Sequence, residues 1–121
     1  MIGSVTIGSL AVAVLVMTAE AGPKGILGKT TRRAYGDLKT KISQWANGDV
    51  GVLERMYTSW RRKRHIAKVI EQRPPADQAT IKDLTAALIQ ALKNDVRQGS
   101  VGISIRRLEA MQEQLMAVGV P

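Results

Sequence analysis

A small all-α protein, a bundle of four or five short helices ending in a short strand or arm, is what these 121 residues predict. Three observations carry that expectation. Apolar residues return at helical spacing in separate stretches, most clearly at Ile81, Leu84, Leu88, Leu92 and Val96. Strong stops, Asn47-Gly48 and Pro74-Pro75, lie between those stretches. With no Phe, two Trp and two Tyr, the core must be built from Leu, Ile, Val, Ala and Met. The length suits one domain plus a short extra element, so residues 1–98 read as the helical domain and 99–121 as a C-terminal arm.

From Met1 to Ala19 no side chain is charged, and Leu10 to Met17 is continuously apolar. A secretory leader would explain the run and the pattern Ala19-Glu20-Ala21, but the stretch before it has no Lys or Arg and Glu20 sits inside the cleavage pattern. A membrane segment needs about 20 apolar residues, and here Gly3, Ser4, Thr6, Gly8, Ser9 and Thr18 dilute the run. A helix over 5–21 that inserts conditionally through Leu10, Val12, Val14, Leu15 and Val16 stays open. The preferred expectation is a first helix buried on nearly all sides by its own domain.

Gly22, Pro23, Gly25 and Gly28 predict a bend around 22–25, because glycine weakens a helix and proline cannot continue its ladder. Ile26, Leu27, Ala34, Leu38, Ile42 and Trp45 then predict a helix over 26–45, with Lys29, Arg32, Arg33, Lys39 and Lys41 off the apolar stripe. Asp49 would cap a short helix through Glu54 and Met56. Thr58 or Ser59 would cap another, with Trp60, Ala67 and Ile70 facing inward beside Ile66 and Val69. Asp77 reads as the cap of a strong helix over 78–97. Val101, Ile103 and Ile105 alternate as a strand would, and such a strand would need a partner, which a second copy could supply. From Arg106 onward Leu108, Met111, Leu115 and Val118 return to helical spacing.

Charge is sorted along the chain. Eighteen Lys and Arg stand against ten Asp and Glu, a net of +8. Residues 23–45 hold six cations against Asp37, and 46–73 hold seven against three acids, whereas the segments on either side are near balance. Acidic partners follow: an acidic protein face, anionic lipid or nucleic acid. The absence of cysteine excludes disulfides, thiolate zinc sites and a Cys nucleophile, and the lone His65 argues against His-based metal or triad chemistry. No carboxylate pair suits acid–base work, since Asp83 reads as surface and Glu109 with Glu113 as an exposed i,i+4 pair. Neither an enzyme, a cofactor nor a metal is expected.

Two motifs stand out. In Trp60-Arg61-Arg62-Lys63-Arg64-His65 the cations could hold phosphates by displacing counterions, with Trp60 stacking a base. The plainer reading is the solvated side of a helix with Trp60 in the core. The segment 22–31, GPKGILGKTT, approaches a phosphate loop, but Gly28 stands six positions after Gly22 rather than five, and no strand precedes it. The spacing fails.

Residues 19–45, followed by VLERMYTSW and VIEQRPPADQATIKDLTAALIQALK, resemble small helical adaptor-like proteins of bacterial conflict, or immunity, systems that accompany signalling NTPases, proteases and other effectors. The resemblance covers residues 5–95 and rests on Glu20, Gly25, Gly28, Ala34, Tyr35, Leu38, Lys39 and the Leu53-Glu54-Arg55 step. It implies association through helices, with some cell-death relatives inserting an apolar N-terminal helix into membranes, and it brings no catalytic residue. The Arg61–Arg64 stretch departs from the more acidic form expected of that group.

The expected function is therefore a cytoplasmic, non-enzymatic adaptor that self-associates or docks a larger effector. Arg32, Arg33, Arg61, Arg62 and Arg64 would steer it to an acidic partner, and Gly25, Gly28, Val101, Ile103 and Ile105 would form an association surface. A membrane-inserting effector with a membrane-bound location and a nonspecific nucleic-acid binder are the alternatives.

Overall fold

In a computed structural model, residues 6–21, 27–46, 51 and 60–119 are described. Among them are five helices and no strand: α1 (Ile7–Ala21), α2 (Lys29–Ser43), α3 (Trp60–Glu71), α4 (Pro75–Arg97) and α5 (Ile105–Ala117). The fold is an all-α bundle. The bend at 22–25, the short helix through Glu54 and Met56, and the caps at Thr58 or Ser59 lie outside the described residues.

The first helix starts on a reciprocal cap. The Thr6 N–H donates to Ser9 Oγ and the Ser9 N–H to Thr6 Oγ1, both at 3.0 Å, so two end donors are satisfied. Ile7, Leu10, Ala11, Val12, Val14, Leu15 and Met17 are buried, and α1 packs mainly on α3 and α4, with lesser contact to α2 and α5. Burial on several sides is why the run is apolar nearly all round. Its 15 residues rise about 22 Å, short of the roughly 30 Å hydrocarbon core. No described helix is long and apolar enough to cross a membrane.

The second helix buries Thr31, Ala34, Leu38 and Ile42 against α4. Its start is held from outside the helix. Asp95 of α4 accepts the Gly28 N–H at 3.0 Å and the Thr31 hydroxyl at 2.6 Å, placing a carboxylate at the positive end of the α2 dipole. A Cβ on Gly28 would come within 2.6 Å of Asp95 Oδ1, so a side chain there would displace the carboxylate from this position.

A compact corner joins α3 to α4. Gln78 Nε2 donates to the carbonyls of Glu71 and Arg73 at 3.0 and 2.9 Å, satisfying acceptors at the α3 terminus. Arg73 pairs with Asp77 Oδ2 at 2.8 Å and lies 4.9 Å over the Trp45 ring, whose centroid is also 5.6 Å from Lys41 Nζ. Asp77 is thus in the first turn and not the cap. Pro74 is the N-cap residue and Pro75 opens the helix, where its missing N–H costs nothing. Ile81, Leu88 and Leu92 are buried, with Leu84 and Val96 packed against the core.

Gly99, at φ +77°, ends α4. The Gly99 N–H reaches the Val96 carbonyl at 3.0 Å and the Ser100 N–H the Asp95 carbonyl at 3.1 Å, a Schellman motif that needs the left-handed glycine. The alternation at Val101, Ile103 and Ile105 is not a strand. Gly102–Ser104 has no regular structure, Ser104 caps α5 by accepting the Arg107 N–H, and Ile105 is already helical. Leu108, Met111 and Leu115 join the common core. Lys82 Nζ donates to the Val118 carbonyl at 2.7 Å, and the buried Lys93 to Gln112 Oε1 at 2.9 Å.

These contacts fix direction. Helix α2 starts beside the end of α4, and α5 ends beside the start of α4, so both run antiparallel to α4. Gly8 near the start of α1 abuts Ala67 late in α3, so that pair is antiparallel too.

Candidate interaction surface

With Ile66, Ala67 and Ile70 buried, the remaining circumference of α3 turns outward. Arg61, Arg62, Arg64, His65 and Lys68 are exposed and Lys63 is half-buried. Trp60 is not in the core. It is 65 % exposed, and the Arg64 guanidinium lies 5.1 Å from its ring centroid. Seven positions before Ala67, Trp60 has the right helical phase to face inward. At its level, however, α1 offers Val12 and Ala13 beside an open groove of about 320 Å³. Near Gly8 the helices touch backbone to backbone, since a Cβ on Gly8 would overlap the Ala67 carbonyl oxygen.

The groove has an apolar floor of Val12, Ala13, Ala67 and Trp60, and a cationic wall of Lys63, Arg64 and Lys68. Glu71 and the Thr6–Ser9 cap close its other end. It offers apolar contact and cation pairing. Among the described residues there is no group of three His, Cys, Asp or Glu able to hold a metal.

The other arginine set lies elsewhere. Arg32 and Arg33 are exposed in the first half of α2, which rests on α4, whereas α3 rests on α1. The contact of Arg73 with Trp45 is at the opposite, C-terminal ends of those helices. Of the expected association surface, Gly28 is committed to Asp95, and Gly25 is outside the described residues. Val101 is buried; Ile103 and Ile105 are half-buried, with Ile103 lining a second cavity of about 300 Å³ beside Met17, Glu20 and Arg107. Leu10, Val12, Val14 and Leu15 are core residues and Val16 is partly buried against them.

One exposed residue escaped the sequence reading. Met116 is 75 % exposed, and with Trp60 it forms the pair of large apolar side chains exposed among the described residues. The signal was its position immediately after the core residue Leu115, off the stripe of Leu108, Met111 and Leu115. No family model, curated protein or solved structure matches the chain.

Proposed function

We propose that this protein is a non-enzymatic helical interaction module of the kind that accompanies larger effectors in bacterial conflict systems, and that its α3 face docks an acidic protein surface. The observation that carries this reading is Trp60, largely in water among Arg61, Arg64 and Lys68. Leaving an indole so exposed forgoes about 3 kcal/mol of burial, which becomes available when a partner covers it. Trp and Arg are also the residues most enriched where interfaces concentrate their energy.

The test uses defined probes: a glutamate-rich amphipathic helical peptide, an oligothymidine and vesicles containing phosphatidylserine. The peptide is expected to bind. Trp60→Ala should weaken it by about thirtyfold, in line with a central anchor. Reversal of Arg61 and Arg62 to Glu should weaken it most at low salt. Peptide affinity unchanged by all these substitutions would remove the surface from consideration. Binding of oligothymidine alone, falling steeply with salt, would reassign the face to nucleic acid.

A further inference from the structure

The α3 face has a complement on the same chain. Along α3 the exposed residues Trp60, Arg64, Lys68 and Glu71 follow one another at steps of four, four and three, which keeps them on one side of the helix. Along α5 the exposed residues Met116, Glu113, Glu109 and Arg106, taken backwards, step by three, four and three. Laid antiparallel, the rows pair an exposed indole with an exposed thioether, Arg64 with Glu113, Lys68 with Glu109, and Glu71 with Arg106. Every sign is matched, including the inversion at the last pair. The rows are also equally long, about 16 Å and 15 Å at the helical rise of about 1.5 Å per residue.

We propose that α3 of one copy docks against α5 of a second copy in this register. The inference rests on the reading of α3 as a docking face and names its partner as this chain. Met116 supplies the apolar cover for Trp60, a sulfur–aromatic contact of the kind methionine makes well. The charged pairs fix register, because a one-step slip sets Glu71 against Glu109 or Lys68 against Arg106. Direction is chosen by the apolar pair, since a parallel arrangement would face Trp60 with Arg106 and Glu71 with Met116 and leave both apolar groups uncovered by each other. Inside one chain α3 and α5 run in the same general direction, because each meets α1 head to tail: Gly8 at the start of α1 abuts Ala67 late in α3, and Met17, Glu20 and Ala21 at the end of α1 share a cavity with Ser104 and Arg107 at the start of α5. The second copy must therefore be inverted, the relation that a two-fold axis across the helices creates. That operation can close a dimer with the contact made twice; otherwise the contact repeats head to tail. Each such contact joins single rows of two short helices, a small interface in the weak and reversible class.

Sedimentation of the full chain over a concentration series tests this, with circular dichroism confirming the fold of each variant. The wild-type chain should associate reversibly. Arg64→Glu and Glu113→Lys should each weaken association at least about tenfold, because each sets like charges face to face. An equimolar mixture of the two variants should recover it, since every contact then formed is again between opposite charges. Glu109→Lys gives a second, independent reversal. Arg64→Glu separates this contact from a general charge effect: it lowers the net positive charge and would strengthen association if bulk repulsion alone governed it. A wild-type chain that stays monomeric throughout, or variants that associate unchanged, or a mixture that fails to recover, overturns the proposal. Failure here while the glutamate-rich peptide still binds α3 leaves the docking face standing with a different occupant; failure of both removes the face.

Discussion

At the scale of single residues the fold depends on buried polar groups whose partners are far away in sequence. Asp95 is 6 % exposed; its carboxylate holds the start of α2 while its carbonyl accepts the Ser100 N–H and hydroxyl, both at 3.1 Å. Asp95→Ala would strand the Gly28 N–H and the buried Thr31 hydroxyl, and is expected to cost about 2–3 kcal/mol, read as a fall in the thermal midpoint. Thr85 is the contrary case. It is fully buried, and its hydroxyl has no hydrogen-bond partner among the described residues. Thr85→Val keeps the shape and discards the desolvated hydroxyl, so a gain of about 1 kcal/mol is expected in urea unfolding. Neither role is legible locally. Asp95 neighbours the apolar Val96 and by residue type belongs on the surface, and only the return of α2, 67 positions earlier, gives it a purpose. Trp60 fails for the opposite reason, having the phase of a core residue but no wall on α1 large enough to cover it.

Helix elements were legible wherever the apolar period ran for several turns. The stripe Ile81, Leu84, Leu88, Leu92 and Val96 lies on the inner side of α4, and Ala34, Leu38 and Ile42 on that of α2. Three alternating residues around Ile103 were too few to decide, because one residue, Ser104, caps a helix in the middle of them. How closely elements approach is also hidden from periodicity. Gly8 looked like a dilution of an apolar run, whereas it is where α1 rests on the α3 backbone. Gly8→Ala would gain about 1 kcal/mol of helix propensity but would force the helices apart at a cost of about 1–3 kcal/mol. A net loss of stability is expected in chemical denaturation; a net gain would mean that α1 can shift outward freely.

Over the whole molecule, charge follows the helices rather than the surface at large. Glu20 is the one charged side chain of α1, while α2 and α3 carry the excess of cations and α4 and α5 carry mixed signs. That division could be read from the chain, but which cations gather could not, because it depends on which helices pack together. The structure sets Arg32 and Arg33 on the α4 side and Arg61, Arg62 and Arg64 on the α1 side. The central place of α1 has a consequence for biosynthesis. Of the five helices it leaves the ribosome first, yet its main partners α3 and α4 are complete only at Arg97. At elongation rates of about 5–20 residues per second, that is an interval of roughly 4–15 seconds. Until it ends the most apolar of the five helices can be covered only in part, first by α2 and then by α3, and a nascent-chain chaperone would shelter the side that α4 later buries.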